Sequence, residues 1–300
     1  MCIAASMLSQ SLNNHKGFGV ASRQDGREKR TNVLNEPPEN ELPEKPRLKK
    51  GRILAVLLII LLDCALVFSL ILFFPLLTGS TNRSVNSLDW SGYVVATNLN
   101  NPQPSVTAIE ASWTVPEIGF SARDSFSAAW IGVGGQFDGD NTLIQMGTEQ
   151  DSINGVGTYS AWYELLPENE VTIDSLSVSP GDRITASISL SDASTNTWSL
   201  EIHDLTGGQS FQNSVIYASS MLSAEWIVER PRINNVLRNL ADFSELTFTG
   251  CEATVGDKVE TISSLPFIEV TLINQNAELT SVSPLASNGS SFTINYLANG

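Results

Sequence analysis

One apolar run near the N-terminus constrains this chain more than any other feature of the sequence. Ile53–Leu77 holds 25 residues with a single charged side chain, Asp63, and about 20 apolar residues suffice for a helix to cross a bilayer. Five Lys or Arg residues lie between positions 45 and 52, directly before the run. The sequence therefore predicts a transmembrane signal-anchor helix over residues 53–78, with a cytoplasmic N-terminus and an extracellular C-terminal domain.

This helix divides the chain into segments of different character. Residues 1–52 are polar and aperiodic, which predicts a disordered cytoplasmic tail. Residues 79–86 are interpreted as a linker, and residues 87–300 as one folded domain. The lipid bilayer is then a partner of the chain through residues 53–78.

The charge distribution narrows the class of partners. Residues 79–300 carry seven Lys or Arg and 25 Asp or Glu, a net charge of −18. Phosphates would be repelled by such a domain, so no nucleic-acid partner is expected. Protonation of the carboxylates would relieve the self-repulsion, which favours acidic surroundings; simple solubility is the alternative reading of the same charge.

The pattern of apolar residues after position 87 is that of β-strands. Residues 184–190 alternate apolar and polar side chains with period two, and residues 174–178 and 245–249 look similar. Turn signals such as Ser179–Asp182 separate these runs. The spacing predicts a sandwich of antiparallel sheets, and only Ile233–Phe243 indicates a short helix.

Several kinds of catalytic site are excluded by composition. His203 is the sole histidine after position 79, so no His-rich zinc site is expected, and neither a metal nor a cofactor is predicted. Cys251 is the one cysteine of the domain, which leaves no disulfide within it. No Gly-x-Ser-x-Gly elbow and no Asp-Thr/Ser-Gly signature occurs. Carboxylate and amide chemistry remains.

Four segments place polar groups among aromatic and aliphatic residues. They are Ala129–Gly132, Thr142–Gly147, Tyr159–Pro167 and Ala224–Glu229. On a strand, Glu225 and Glu229 share one face, opposite Trp226. One sheet face carrying Gln145, Glu164 and Glu229 would form the floor of a cleft; alternatively, these are ordinary solvated strand faces.

These segments, taken in order, resemble the glutamic peptidases of family G1, the eqolisins. The matching segments run from about Ser87 to Val255: Asp89–Val95, Trp130–Gly132, Leu143–Gly147, Ala161–Glu164, Ala224–Glu229, Ala241–Phe243 and Thr247–Thr249. Ala224–Glu229, Ala-Glu-Trp-Ile-Val-Glu, reproduces the family motif over six residues.

The resemblance implies a fold, a reaction and a set of residues. The fold would be an antiparallel β-sandwich of the concanavalin or jelly-roll type, and the reaction hydrolysis of peptide bonds in polypeptide substrates at acidic pH by an activated water. Gln145 and Glu229 would be the catalytic pair, with Glu225 as the alternative to Glu229. The substrate-binding residues would be Trp130, Glu149, Trp162 and Glu164.

Two departures from the family pattern keep other functions open. Gly134 stands where many members have Asp, and Leu166 where Tyr is common. A carbohydrate-binding or glycoside-hydrolysing sandwich using Glu164 and Glu229 is one alternative. A non-catalytic surface module of the same fold is the other.

Overall fold

The computed structural model of the protein describes residues 82–275 and 277–300. The predicted tail, the predicted membrane helix and the first residues of the predicted linker lie outside this part of the chain. Among the described residues, no helix has both the length and the apolar character needed to span a bilayer.

Strands make up nearly all the regular structure of the described residues. The first twelve are β1 Arg83–Ser87, β2 Trp90–Val95, β3 Val106–Thr114, β4 Ser125–Phe126, β5 Ala128–Val133, β6 Ile144–Ile153, β7 Val156–Leu165, β8 Val171–Thr172, β9 Arg183–Asp192, β10 Thr197–Asp204, β11 Gln209–Ile216 and β12 Ala224–Glu229. The others are β13 Arg232–Ile233, β14 Val236–Leu237, β15 Asn239–Leu240, β16 Glu245–Val255, β17 Lys258–Thr261, β18 Phe267–Asn274, β19 Ala277–Glu278, β20 Thr280–Val282 and β21 Phe292–Tyr296. One 3₁₀ turn covers Ile262–Ser264.

These strands form two large sheets, which confirms the predicted all-β sandwich. The larger has eleven strands, with the path β1-β18-β2-β12-β5-β6-β4-β15 and with β7, β8 and β19 attached beside it. The smaller has eight, with the path β11-β10-β9-β3-β16-β21-β20 and β17 beside β16. Within the described residues the pairings are antiparallel, except that β1 with β18 and β4 with β15 are parallel.

Alternation of side chains builds the main core between the sheets. In β9, Ile184, Ala186 and Ile188 are buried while the residues between them are partly exposed, as the period-two pattern predicts. Trp226 of the large sheet reaches across and donates its indole N–H to the Glu110 carbonyl of the small sheet at 2.9 Å. The core joins the inner faces of both sheets.

A second apolar cluster lies on the other face of the large sheet. It includes Trp90, Trp130, Trp162 and Ile227, which alternate along their strands with residues of the main core. The central strands of the large sheet are therefore buried on both faces: every residue of β2, β5 and β12 is buried. This second face carries the residues of the candidate site.

The local predictions fail in three short segments. Ile233–Phe243 is not helical: β13 and β14 pair as a hairpin, since Asn234 and Asn235 both adopt positive φ, as a two-residue hairpin turn requires. Residues 174–178 form no strand, although Leu176 and Val178 are buried. Residues 83–86, assigned to the linker, belong to β1.

Candidate active site

Four neighbouring strands of the large sheet bring the conspicuous sequence segments together. Their order is β12, β5, β6 and β7. Gln145 of β6 lies between Gly132 of β5 and Glu164 of β7, and Gly132 in turn faces Glu225 of β12. One row across the sheet thus carries Glu225, Gly132, Gln145 and Glu164.

Glu229 occupies another row on the same face. It lies four residues beyond Glu225 along β12, opposite Ala128, and Ala128 faces Glu149 of β6. Because side chains alternate between faces, positions separated by four residues point to the same side. Gln145 and Glu229 are therefore diagonal to each other on one face, two strands apart.

Tryptophans fill the row between these two. Trp130 and Trp162 flank Gly147, which has no side chain to separate them. A Cβ at Gly147 would lie 2.1 Å from the Ala129 carbonyl oxygen and 2.6 Å from the Trp130 Cβ. The glycine of the Gln-Met-Gly segment therefore allows the close approach on which this row depends. Trp90 packs edge-on against Trp130, with ring centroids 5.0 Å apart.

Each predicted catalytic residue has one hydrogen bond that orients it. Gln145 donates from Nε2 to Glu164 Oε2 at 2.6 Å, and Trp130 donates from Nε1 to Glu229 Oε2 at 2.9 Å. Gln145 is 1% exposed and Glu229 5% exposed. The Oε1 atoms of Gln145 and Glu164 are buried without a hydrogen-bond partner among the described residues, so this face retains unused acceptors.

Burial dominates the electrostatics of the site. Desolvation raises the pKa of Glu229 to about 8, with further increases from the charges of Asp89 and Glu164, while the Trp130 N–H lowers it. Desolvation also raises the pKa of Glu164 to about 7, against the hydrogen bond from Gln145. Glu164 therefore links the two predicted catalytic residues: it accepts a hydrogen bond from Gln145, and its charge raises the pKa of Glu229.

More carboxyl groups surround Glu149. Desolvation, reinforced by the charge of Glu149, raises the pKa of Glu170 to about 9 and that of Asp151 to about 8. Glu149 accepts a hydrogen bond from Ser160 Oγ at 3.3 Å. In acidic and neutral solution Glu170 and Asp151 therefore retain their protons.

Glu225, the alternative to Glu229, has a different environment. Its side chain is fully buried, and the nearby Ser223 hydroxyl forms no hydrogen bond of good geometry with either carboxyl oxygen. Burial raises its pKa well above the ordinary value, and the additional negative charge acting on it comes from Asp140. Glu225 shares the sheet face of Glu229 but lacks the indole contact that orients Glu229.

All six residues singled out from the sequence lie on this one face, and the structure adds others. Gln145, Glu229, Trp130, Glu164, Trp162 and Glu149 are brought together by strand register. Sequence reasoning missed Asp89, although it opens the Asp-Trp-Ser-Gly segment. It also missed Glu170, because Glu168-Asn-Glu170 lies in a loop and β-alternation does not extend to it.

The same part of the chain matches a known family. The model of the Peptidase A4 family matches residues 88–296. The chain belongs to the Peptidase A4 family. Aspergillopepsin-2 of Aspergillus niger is 28% identical to it over 247 aligned residues, covering 74% of this chain and 81% of the relative.

Solved structures place this Peptidase A4 member beside glutamic peptidases. A scytalido-glutamic peptidase crystallised with a transition state analog inhibitor shares the fold, with a TM-score of 0.59 and 22% identity. SCP-B, an eqolisin in complex with the tripeptide Ala-Ile-His, gives a TM-score of 0.56 and 23% identity. Each match covers 70% of this chain and 99% of the solved one. The predicted resemblance to the glutamic peptidases is confirmed.

Proposed function

We propose that this glutamic peptidase is an endopeptidase in which Gln145 and Glu229 activate a water against the scissile peptide bond. The observation that carries the proposal is the placement of both residues on one buried sheet face, each oriented by a single hydrogen bond. One fold relative holds a transition state analog inhibitor, and another holds the tripeptide Ala-Ile-His.

The two side chains would divide the chemistry between them. The ionised form of Glu229, stabilised by the Trp130 N–H, accepts a proton from water as the new C–O bond forms. Gln145 has a second amide N–H beyond the one given to Glu164, and this N–H can stabilise the oxyanion. Glu229 then returns the proton to the leaving nitrogen as the C–N bond breaks.

The raised pKa of Glu229 suits the second half of this cycle. With a pKa of about 8, Glu229 is mostly a carboxylic acid in acidic solution and can hold the proton until the nitrogen receives it. The base step draws on the ionised minority, which shrinks about tenfold for each pH unit below the pKa. Activity therefore requires both protonation states.

Substitution of the pair tests the proposal directly. Gln145→Ala and Glu229→Gln in the full-length protein should each lower kcat for an unfolded protein substrate by at least about 10²-fold, with circular dichroism unchanged. Glu225→Gln is the matched control, because Glu225 lies on the same strand face without the Trp130 contact. If Glu229→Gln keeps full activity while Glu225→Gln loses it, the roles of the two glutamates are exchanged and this assignment fails.

We further propose that residues 53–78 anchor the peptidase domain on the extracellular side of a membrane. The support is the 25-residue apolar run and the basic residues before it. The full-length chain should remain in the membrane pellet after alkaline carbonate extraction, and a chain lacking residues 53–78 should not. Release of the full-length chain by carbonate would contradict an integral anchor.

A further inference from the structure

Arginines are concentrated at the end of β12, directly after Glu229. Residues 82–300 hold seven Lys or Arg, and three of them, Arg230, Arg232 and Arg238, fall within nine positions. Residues 82–300 also hold 25 Asp or Glu. A local excess of positive charge on so acidic a domain needs an explanation beyond solubility.

Backbone and side-chain contacts connect Asp89 to Arg230 and Arg232, and connect Arg230 to Arg238. The Arg230 backbone N–H donates to the Asp89 carbonyl at 2.7 Å, and Arg230 Nε donates to the Arg238 carbonyl. Arg232 Nε forms an ion pair with Asp89 Oδ2 at 3.2 Å. Arg238 follows the β13–β14 hairpin, and its N–H donates to the Pro231 carbonyl at 3.1 Å. We call these three residues and Asp89 the arginine cluster.

The cluster is next to the candidate dyad. Asp89 precedes Trp90, which faces Glu229 across the strand pair and packs on Trp130. After desolvation, the charge of Asp89 is the largest influence that raises the pKa of Glu229. Arg232 is therefore connected to Glu229 through a single carboxylate, that of Asp89.

The cluster has more donors than acceptors. Arg230 is 5% exposed, yet its Nη1 has no hydrogen-bond partner in residues 82–275 and 277–300; Arg238 Nε is likewise buried and unpartnered. Among the described residues, Asp89 is the one carboxylate that forms an ion pair with any of these arginines: it pairs with Arg232, and its Oδ1 is buried without a hydrogen-bond partner. Buried donors of this kind are normally satisfied, and guanidinium groups match carboxylates in geometry and charge.

From these contacts we infer that the arginine cluster is a specificity subsite that binds a carboxylate of the peptide substrate. The inference rests on the proposed function, because it assumes that the substrate lies along the face of Gln145 and Glu229. The carboxylate can come from an Asp or Glu side chain or from the C-terminus of the peptide. In either case it would supply the acceptor that Asp89 alone does not.

Matched peptides separate these sources. One neutral, amidated parent peptide is compared with versions in which a single Glu or Gln is placed at successive positions around the cleavage site, and with the same peptide ending in a free carboxylate. At about pH 5 a glutamate side chain is mostly ionised. The full-length protein should show a higher kcat/KM for Glu than for Gln at one position, or for the free acid over the amide.

Removal of the charges should abolish that preference. Arg232→Gln and Arg238→Gln should each lower the ratio of kcat/KM for the preferred carboxylate peptide to kcat/KM for the neutral parent by about tenfold or more, as expected for a charged hydrogen bond. Arg183→Gln, at the start of β9 in the other sheet, is the control and should leave both peptides unchanged.

The outcomes distinguish this subsite from the proposed function. Equal loss on neutral and acidic peptides would assign the arginines a purely structural role and overturn the inference. If wild type cleaves the Glu and Gln peptides equally at every position, and also cleaves the free acid and the amide equally, the inference is overturned as well. Cleavage of the neutral parent would then leave the peptidase proposal intact. Failure to cleave any peptide would instead overturn the proposed function.

Discussion

The indole of Trp130 has two roles in the site, packing and hydrogen bonding, and a substitution can separate them. Trp130→Phe keeps an aromatic ring against Trp90 but removes the donor to Glu229 Oε2. Since that N–H lowers the pKa of Glu229, its loss should raise this pKa further. We expect kcat/KM to fall about tenfold or more and the limb of the pH–rate profile governed by Glu229 to move to higher pH.

Another buried tryptophan provides the control for this measurement. Trp113 donates its indole N–H to Thr148 Oγ1 at 3.0 Å within the core between the sheets. Trp113→Phe should lower the free energy of unfolding without moving the pH–rate profile. A profile that stays fixed in Trp130→Phe would show that the indole hydrogen bond does not tune Glu229.

At this scale the sequence predicted which residues share a face but not how they are oriented. Strict alternation in Ala224–Glu229 placed Glu225 and Glu229 together, and the register confirms that placement. Their different environments depend on Trp130 and Asp140, which are distant in sequence and reach them only through folding. Asp89 escaped notice for the same reason, because its partner Arg232 lies 143 residues away.

Elements that pair with neighbours on both sides were the easiest to predict. β9 and β12 have clear patterns because each is packed on defined faces, and both form where expected. The alternation of residues 174–178 has the same look but forms no ladder: the Leu176 N–H bonds the Ile173 carbonyl, and the Ser177 N–H bonds Gln209 Oε1. Burial of alternate side chains alone does not distinguish such a loop from a strand.

In segment 233–243, the prediction of a short helix gave more weight to the apolar residues than to the asparagines that favour a turn. Its apolar residues are compatible with a short helix, but two consecutive asparagines favour the left-handed backbone of a hairpin turn. The resulting β13–β14 hairpin follows the end of β12 at Glu229 and places Arg238 beside Arg230. Recognition of the Asn-Asn pair as a turn would have predicted the hairpin, although not the pairing of Arg232 with Asp89.

For the molecule as a whole, carboxyl groups that are partly or fully buried make the folded state sensitive to pH. Glu164, Asp151, Glu170 and Glu229 have pKa values raised to about 7, 8, 9 and 8, in each case chiefly by desolvation. In the unfolded chain such groups titrate near pH 4. Between these limits the folded state binds more protons than the unfolded state, so the free energy of unfolding must fall as pH rises.

This linkage predicts a protein that is most stable below about pH 4 to 5 and loses stability up to about pH 9. Each group contributes a slope of at most about 1.4 kcal/mol per pH unit, and several groups titrate together. Urea unfolding of the full-length protein at successive pH values measures the total slope. Glu225→Gln should make it shallower by about one proton, because the amide fills the same buried space without ionising. Glu245→Gln, at an exposed strand position, is the matched control and should leave the slope unchanged. A free energy of unfolding that stays level or rises between pH 5 and 8 would contradict the prediction.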